Sequence, residues 1–532
     1  MEEYKVLITT SGLGKRLGNI TNYTNKALVK IGDKPAISHI IENYPNTCKF
    51  VITIGHFGSH VKQYLHMAYP NIDFTFVDVD LYQGEGSSLL YSMLQAEQYL
   101  HEPFIYNTCD TLVEQTITSP SENWCGVYSE EDSDVGNYRT VNTTDRVIKI
   151  NDKGEDSFSK IYIGLSAIHD HKAFWKYAKI VYNESSNDQS LSDCHVINRM
   201  LSEHDSVFTC QEFETWIDIG NIKKLEFARK QIKSITTPVL DKYEESIYHV
   251  GTNIIKFFTD ANIVSGRIER SKQLSSSVPT ITNYSDNFYS YDFIQGSVLS
   301  NTVNDEKMQL FLEWASNNLW KMTGQSSEMW NKCEDFYFHK TRKRINDFLK
   351  SLNLQDEPNK INGIMVPAAH DLLNSIPKQI LCTDDEYCFH GDFILENIID
   401  TNDGNFKLID WRQDFAGEIK FGDIYYDFSK LNHNLTFNHD VVSKNLFYVE
   451  NTKNEITVDI LTHDKFNDLK TILQTFIIKS GFDYDKVKLL TPLIWINMAP
   501  LHAYPLNKFL FYFGKYKLYK AWKEILNGSV SR

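Results

Sequence analysis

Phe389-His390-Gly391-Asp392-Phe393-Ile394-Leu395-Glu396-Asn397, then Leu408-Ile409-Asp410-Trp411-Arg412, then Gly422-Asp423-Ile424-Tyr425-Tyr426-Asp427 is the stretch on which the reading of this chain turns. An aspartate is followed five residues later by an asparagine, and thirteen residues beyond that a second aspartate ends a short apolar strand. Everything upstream has to be reconciled with that spacing.

At 532 residues the chain is too long for a single ordinary core, and two or three domains are expected. Its 42% hydrophobic and 13% aromatic residues suffice to fill them. No apolar run approaches the roughly 18 residues that a membrane span needs. The N-terminus runs Met1-Glu2-Glu3-Tyr4-Lys5 into the strand-like Val6-Leu7-Ile8 with no basic region and cleavage site before it, so a cytoplasmic protein without a membrane partner is expected. Cys48, Cys109, Cys125, Cys194, Cys210, Cys333, Cys382 and Cys388 form no CxxC pair and no Cys/His cluster, which reads as free thiols in a reducing compartment. The net charge of -15, from 54 basic and 69 acidic residues, argues against nucleic acid as a partner. A small anionic substrate can still be held by a local cluster of Lys, Arg and metal.

From the N-terminus apolar strands alternate with helical stretches: strand Lys5 to Thr10, helix Ala36 to Tyr44, strand Phe50 to Ile54, helix Val61 to Tyr69, strand Asp73 to Val77, helix Ser88 to Leu100 and strand Pro103 to Tyr106. That alternation predicts βαβ units and a mainly parallel sheet. Shorter strands follow after residue 120, and the helix-like Lys223 to Ile235 closes this part. Residues 236–244 read as a linker. Strands at Ser246 to Val250, Asn253 to Phe258 and Phe288 to Phe293 then precede helices at Leu310 to Met322 and Asp335 to Leu352, which suggests an α+β, two-lobed module.

Ser11-Gly12-Leu13-Gly14-Lys15-Arg16-Leu17 follows the first strand, and Asn25-Lys26-Ala27-Leu28 comes shortly after. Glycines at a strand-to-helix turn let backbone N–H groups approach phosphate, and Lys15, Arg16 and Lys26 can neutralise it. This is no Walker A loop, since Arg16 stands where Ser or Thr belongs, and Leu17 breaks the dinucleotide G-x-G-x-x-G pattern. Asp110 ends the strand Phe104-Ile105-Tyr106, and Asp218 sits in Trp216-Ile217-Asp218-Ile219-Gly220. Carboxylates at strand ends are well placed to hold Mg²⁺ between triphosphate oxygens.

Taken as an ordered set, these motifs with Ile161-Tyr162-Ile163-Gly164-Leu165 resemble the sugar-1-phosphate nucleotidyltransferase superfamily, which includes glucose-1-phosphate thymidylyltransferases and phosphocholine cytidylyltransferases. The resemblance runs from residue 4 to about residue 233 and implies a Rossmann-like α/β domain. It implies that Ser11, Gly12, Gly14, Lys15 and Arg16 hold the NTP, that Lys26 contacts phosphates at the reaction centre, and that Asp110 and Asp218 bind Mg²⁺. Glu85 and Gly86 fall where the family reads base and nucleoside. Thr9-Thr10 replaces the usual small alanines, and Asn151-Asp152-Lys153-Gly154 replaces the common Glu-Lys-Pro near the sugar phosphate, which leaves the phosphorylated substrate open. Lys149, Lys153 and Gly164 are the candidates for contacting it.

Lys256 lies in the strand-like Asn253 to Phe258, and Glu269 follows in Ser265 to Arg270; a strand lysine paired with a helix glutamate holds ATP phosphates in kinases. The His-Gly-Asp-x-x-x-x-Asn pattern with its later Ile-Asp resembles the aminoglycoside phosphotransferase and choline kinase family, part of the protein-kinase-like fold. That resemblance is strongest from 388 to 433. It implies Asp392 as base or orienter for a substrate hydroxyl, Asn397 and Asp410 as Mg²⁺ ligands, and Asp423 as a hydrogen-bonding support of the catalytic loop. His390 reads as a packed support. Trp411 and Arg412 are placed to face the acceptor, and Trp314, Trp320, Trp330 and Trp495 read as core.

The expected organisation is therefore a nucleotidyltransferase domain over 1–235, a linker over 236–244 and a small-molecule kinase domain over 245–532. Together they imply a bifunctional enzyme: ATP phosphorylates a sugar or polyol, and a second NTP (CTP, UTP or dTTP) converts the product to an NDP-activated precursor for surface polysaccharide. A choline or ethanolamine kinase joined to a cytidylyltransferase is the near alternative; an antibiotic-type phosphotransferase or a non-catalytic regulatory fusion belongs to another class. The expected partners are the acceptor and NTPs, with homo-oligomerisation left open.

Overall fold

Val6, Leu7 and Ile8 form the centre of a mixed sheet in the computed structural model, which describes residues 3–129, 135–155, 158–204, 206–234, 243–452 and 455–530. Residues 236–242 of the expected linker lie outside the described residues. Strand Lys5–Thr9 pairs in parallel with Lys49–Ile54 on one side and Phe104–Thr108 on the other, and Lys49–Ile54 pairs in parallel with Phe74–Asp78. The run is apolar without alternation because both faces are covered. Val6, Ile8 and Ile52 pack against helices Ala36–Ile41 and Gly58–Ala68. Leu7, Val51 and Tyr106 face the opposite core, with Leu90, Phe174 and Ile197 from helices Leu89–Gln95, His171–Glu184 and Asp193–Glu203.

The expectation of a mainly parallel sheet is corrected. Strand Lys160–Ile168 lies antiparallel to Phe104–Thr108, Trp124–Tyr128 and Thr140–Thr143, and Val147–Asn151 is antiparallel to Thr140–Thr143. Antiparallel neighbours need no crossover helix, so the short strands after residue 120 add to the sheet directly.

The chain divides into two compact units, Met1–Ala261 with Thr282–Phe293, and Asn262–Ile281 with Ile294–Arg532. The antiparallel strands Glu245–Val250, Asn253–Phe258 and Phe288–Asp292 fall in the first unit. Packing explains this placement. The Tyr248 ring meets Tyr64 edge-on with centroids 5.2 Å apart, its hydroxyl donates to the Leu28 carbonyl at 2.7 Å, and Phe257 and Phe288 flank His60 at 5.0 and 6.4 Å.

The second unit is mainly helical, with Phe336, Phe348, Phe389, Trp495, Phe509 and Phe513 in one aromatic core. The helix expected over 310–322 runs Asp305–Asn318 instead. Asn304 caps it by accepting from the Lys307 N–H, and Asp305 and Glu306 suit the positive end of the dipole. Met322 belongs to the next strand, Met322–Gln325, which pairs with Asp385–Tyr387. The quoted stretch forms a loop at 390–394, a helical turn Leu395–Asn397, and a hairpin of Ile398–Asp400 with Phe406–Leu408. Among the described residues no helix is long and apolar enough to cross a membrane.

Burial among these rings, and to a lesser degree the neighbouring His56, lowers the pKa of His60 to about 4. An unfolded histidine titrates near 6.5, so the folded state takes up this proton later. Its contribution to stability is whole above pH 6.5 and drains away as the pH falls toward 4, by about 1–3 kcal/mol. Denaturant stability measured at pH 7 and pH 5 should fall less in His60→Leu than in the parent chain; a parallel fall in both would refute the assignment.

Candidate functional site

The turn after the first strand depends on Gly14 (φ 64°), where a β-carbon would come within 2.8 Å of Thr21 Cγ2. Its carbonyl accepts from the Leu17 N–H at 2.9 Å. Asn25 fixes the next segment: its amide donates to the carbonyls of Thr10 at 2.8 Å and His56 at 2.6 Å, and its Oδ1 accepts from the Ala27 N–H at 2.8 Å. Lys26 is thereby aimed at the end of the Phe104–Thr108 strand, where its ammonium pairs with Asp110. Burial opposes the charge on both partners. Their mutual attraction wins, holding Lys26 above and Asp110 below the ordinary range, with a Thr108 hydrogen bond and Arg16 assisting on the aspartate.

Asp218 is brought to the same place by strand Trp216–Asp218, which sets it opposite Thr111. Its carboxylate accepts from the Gly220 N–H at 2.6 Å and pairs with Lys224 at 2.8 Å. Gly220 marks the convergence. A β-carbon there would lie 2.8 Å from Asp218 Oδ1, 3.5 Å from Asp110 Oδ2 and 3.5 Å from Arg16 Nη2. Lys153 belongs to the same electrostatic environment: burial and then Arg16 and Arg139 lower its pKa, against the pull of Asp218 and Asp110.

Other expected residues lie around this centre to different degrees. Ser11 is buried with its hydroxyl 2.8 Å from that of Ser92, while a β-carbon on Gly12 would meet nothing within 4 Å. Lys15 and Glu85 are exposed. Gly86 gives its carbonyl to the Tyr182 hydroxyl at 3.1 Å. Lys149 is exposed and paired with Glu155 at 3.1 Å. Gly164 (φ 74°) packs against Thr108, leaving it beside the strand that carries Asp110.

Two carboxylates brought within reach of one point fit Mg²⁺, which binds through one or two carboxylates and completes its shell with water and substrate phosphates. Asp110 and Asp218 would hold it. Among the described residues there is no group of three His, Cys, Asp or Glu that would make a protein-only cage.

In the second unit the 390–394 loop hangs on a buried carboxylate. Asp427 accepts from the N–H groups of His390 and Gly391, both at 2.7 Å, and from the Trp320 indole at 3.0 Å. Burial still pushes its pKa up to about 6. The support expected of Asp423 thus falls to Asp427. Asp423 instead caps helix Ile424–Asn434 through the Tyr425 N–H at 3.0 Å and takes the Tyr337 hydroxyl and the Lys486 ammonium, both at 2.8 Å. Arg270, stacked 4.1 Å from the Phe389 ring, donates to the carbonyls of Phe389 and of Arg412, the latter at 2.5 Å.

Held this way, Asp392 meets Asn397, whose amide donates to its carbonyl at 2.9 Å and its Oδ2 at 3.1 Å, while Lys430 pairs with its Oδ1 at 2.7 Å. The Ile409 N–H donates to the Asn397 carbonyl at 2.9 Å, which sets Asp410 beside Asn397. Asp410 has φ 60°, a left-handed conformation that aspartate tolerates better than most residues, and pairs with Arg267 at 3.2 Å. Two oxygen-bearing side chains on adjacent backbone, next to a further carboxylate, fit a phosphate-bound Mg²⁺. His390 is buried with its Nε2 3.0 Å from the Ile409 carbonyl, and burial lowers its pKa to about 4, as a neutral support requires.

Trp411 is fully buried, its indole donating to the Arg267 carbonyl at 2.8 Å, so its ring is core and presents no face to an acceptor. Arg412 lies over the Phe336 ring at 5.1 Å. Lys256, in the first unit, is buried with its ammonium 5.8 Å from the Tyr291 ring. Glu269, in the second, is exposed and paired with Lys272 at 2.6 Å.

The N-terminal half is similar to sugar-phosphate nucleotidyltransferases and cytidylyltransferases. It is 24% identical over 253 residues to the bifunctional protein GlmU of Methanocaldococcus jannaschii, covering 47% of this chain and 60% of that protein, so the chain spans less than two thirds of the curated relative it matches. Among solved structures, CTP:phosphocholine cytidylyltransferase from Streptococcus pneumoniae aligns over 44% of this chain and 100% of its own, at 18% identity and a TM-score of 0.37. The inositol-1-phosphate CTP transferase from T. maritima aligns over 44% and 98%, at 17% identity and 0.36. No family model matches the chain.

Several residues that build these sites escaped the sequence reading. Lys430 follows Asp427 by three residues and shares its face on helix Ile424–Asn434, which runs past the end of the quoted stretch. Arg267 and Arg270 are likewise three apart on helix Ala261–Leu274. Lys224 stands six residues after Asp218, a spacing that neither helix nor strand periodicity marks, and Asn25 holds carbonyls 15 and 31 residues away. Removing the acceptor for three buried donors should cost about 3 kcal/mol or more. Denaturant unfolding of Asp427→Ala should show that loss, and a variant as stable as the parent would show that the 390–394 loop does not depend on this carboxylate.

Proposed function

We propose that the first unit transfers a nucleotidyl group from an NTP to a phosphorylated small molecule with release of pyrophosphate. The observation that carries this reading is the convergence of Lys26, Arg16, Asp110 and Asp218 around Gly220. A phosphate oxygen is already a nucleophile, so the site has chiefly to align it with the α-phosphorus and screen charge. It bonds that phosphorus as the α–β bridging P–O bond breaks and pyrophosphate leaves. Lys26 and Arg16 neutralise the triphosphate, Asn25 fixes the segment that bears Lys26, and Lys153 stands near enough to meet the incoming phosphate. Bound Mg²⁺ would supply charge neutralisation between the phosphate oxygens.

The second unit, on this proposal, phosphorylates a small hydroxyl compound with ATP to make the substrate of the first. Asp392 orients the acceptor hydroxyl and takes its proton as oxygen bonds the γ-phosphorus and ADP departs. Lys430 pairs with the Asp392 carboxylate and holds it in place, and Asn397 and Asp410 would supply the metal-holding oxygens. The product is an NDP-activated building block of the kind consumed in surface polysaccharide synthesis, with CTP, UTP or dTTP as the second nucleotide.

Mass spectrometry after incubation with ATP, CTP, UTP, dTTP and a pool of hydroxyl compounds identifies the product. Asp110→Asn should lower pyrophosphate release by about a hundredfold or more and spare ADP release. Asp392→Asn should do the reverse, by about a hundredfold or more in ADP release. Loss of both activities in either folded variant would exclude two independent sites.

A further inference from the structure

The Phe336 ring is a platform for cations. Lys340 Nζ lies 3.8 Å and the Arg412 guanidinium 5.1 Å from its centroid. The ring is buried and meets Tyr426 edge-on at 4.9 Å. Tyr426 and Lys430 lie one turn apart on helix Ile424–Asn434, and Lys430 holds Asp392 at 2.7 Å. An arc of side chains therefore runs from Asp392 through Lys430, Tyr426 and Phe336 to Lys340 and Arg412. Arg344, four residues beyond Lys340 on helix Lys340–Ser351, shares its face.

The charges in this arc are poorly balanced. Among the described residues neither Lys340 nor Arg344 has a hydrogen-bond or carboxylate partner, and Arg412 donates its Nε–H to the Asp414 carbonyl at 2.9 Å. Asp392, at the other end of the arc, is already paired with Lys430. Burial, then Arg412, Arg344 and Lys430, push the Lys340 pKa well below the ordinary lysine range, against the pull of Asp414. Like charges gathered at low dielectric repel one another, and an anion seated among them reverses that cost. A quaternary ammonium or an amine would add to it.

We propose that the acceptor presented to Asp392 is an anion, a hydroxyl compound bearing a carboxylate or a phosphate whose charged group is held by Lys340, Arg344 and Arg412. The acceptor's identity rests on the proposed role of Asp392, whereas anion binding by the cluster does not. A sugar acid and a sugar monophosphate share the chemistry required, and both supply the hydroxyl.

Two measurements on the full chain separate these layers. Isothermal titration with inorganic phosphate compares the parent, the double variant Lys340→Gln/Arg344→Gln and the exposed control Lys343→Gln. The double variant should bind about tenfold more weakly or worse, with the control unchanged; equal binding in all three overturns the anion site. Transfer from γ-labelled ATP is then followed with sugar acids, sugar monophosphates, neutral polyols and amino alcohols as separate arms. Transfer confined to one or both acidic arms, with KM raised about tenfold or more in the double variant, supports the proposal and selects the anion. Preference for neutral or cationic acceptors overturns it. Transfer to no arm, with phosphate binding still lost in the double variant, overturns the kinase reading and upholds the anion site.

Discussion

A carboxylate that accepts backbone N–H groups holds chain rather than a side chain, and Asp427 is the group on which the 390–394 loop of the second unit hangs. Its two oxygens take the amides of His390 and Gly391 and the Trp320 indole. With those three donors fixed, the direction of Asp392 is fixed as well, and Arg270 closes the other side by holding the carbonyls of Phe389 and Arg412. Both groups are buried at the cost of desolvation. Burial pushes Asp427 up to about 6 and lowers Arg270 to about 10, so neither is placed cheaply. A loop left to hydrophobic packing alone would avoid that cost and lose the fixed orientation.

The carboxylates at the two candidate sites follow another rule: each is paired with a cation. Asp110 has Lys26, Asp218 has Lys224, Asp392 has Lys430 and Asp410 has Arg267. At an effective dielectric near 20, unit charges about 4 Å apart attract by about 4 kcal/mol, enough to keep the side chains ordered. An incoming phosphate competes for the cation and a metal for the carboxylate. On the proposed function, Mg²⁺ with a phosphate would replace the ion pair without leaving either partner bare. Lys340 and Arg344 break this rule, which is why they stand out among the cations near Asp392.

Candidate residues were easier to read in the sequence than the architecture. Asp110, Asp218, Asp392, Asn397 and Asp410 are local signals, each at the end of an apolar strand or within a short spaced motif. Strand direction is not local. Lys160–Ile168 reads the same whether it pairs parallel or antiparallel, so the mixed sheet was out of reach. The strands from Glu245 to Phe258 likewise gave no sign that Tyr248 and Phe257 would pack on Tyr64 and His60, since those contacts span about 180 residues or more. The residue after Asp410 was equally opaque: Trp411 had the right position to face an acceptor, and its indole instead supplies a donor to the Arg267 carbonyl.

Net charge shows the same limit from the other side. A total of -15 excludes an extended basic face, yet it says nothing about a pocket, because a Debye length of about 8–10 Å separates one site's field from the rest of the surface. Lys340, Arg344 and Arg412 are close to one another and poorly supplied with carboxylate, so the local potential there is positive on a negatively charged molecule. Such a background helps selection. It repels anions from the rest of the surface, so that a local group of cations is where one would settle.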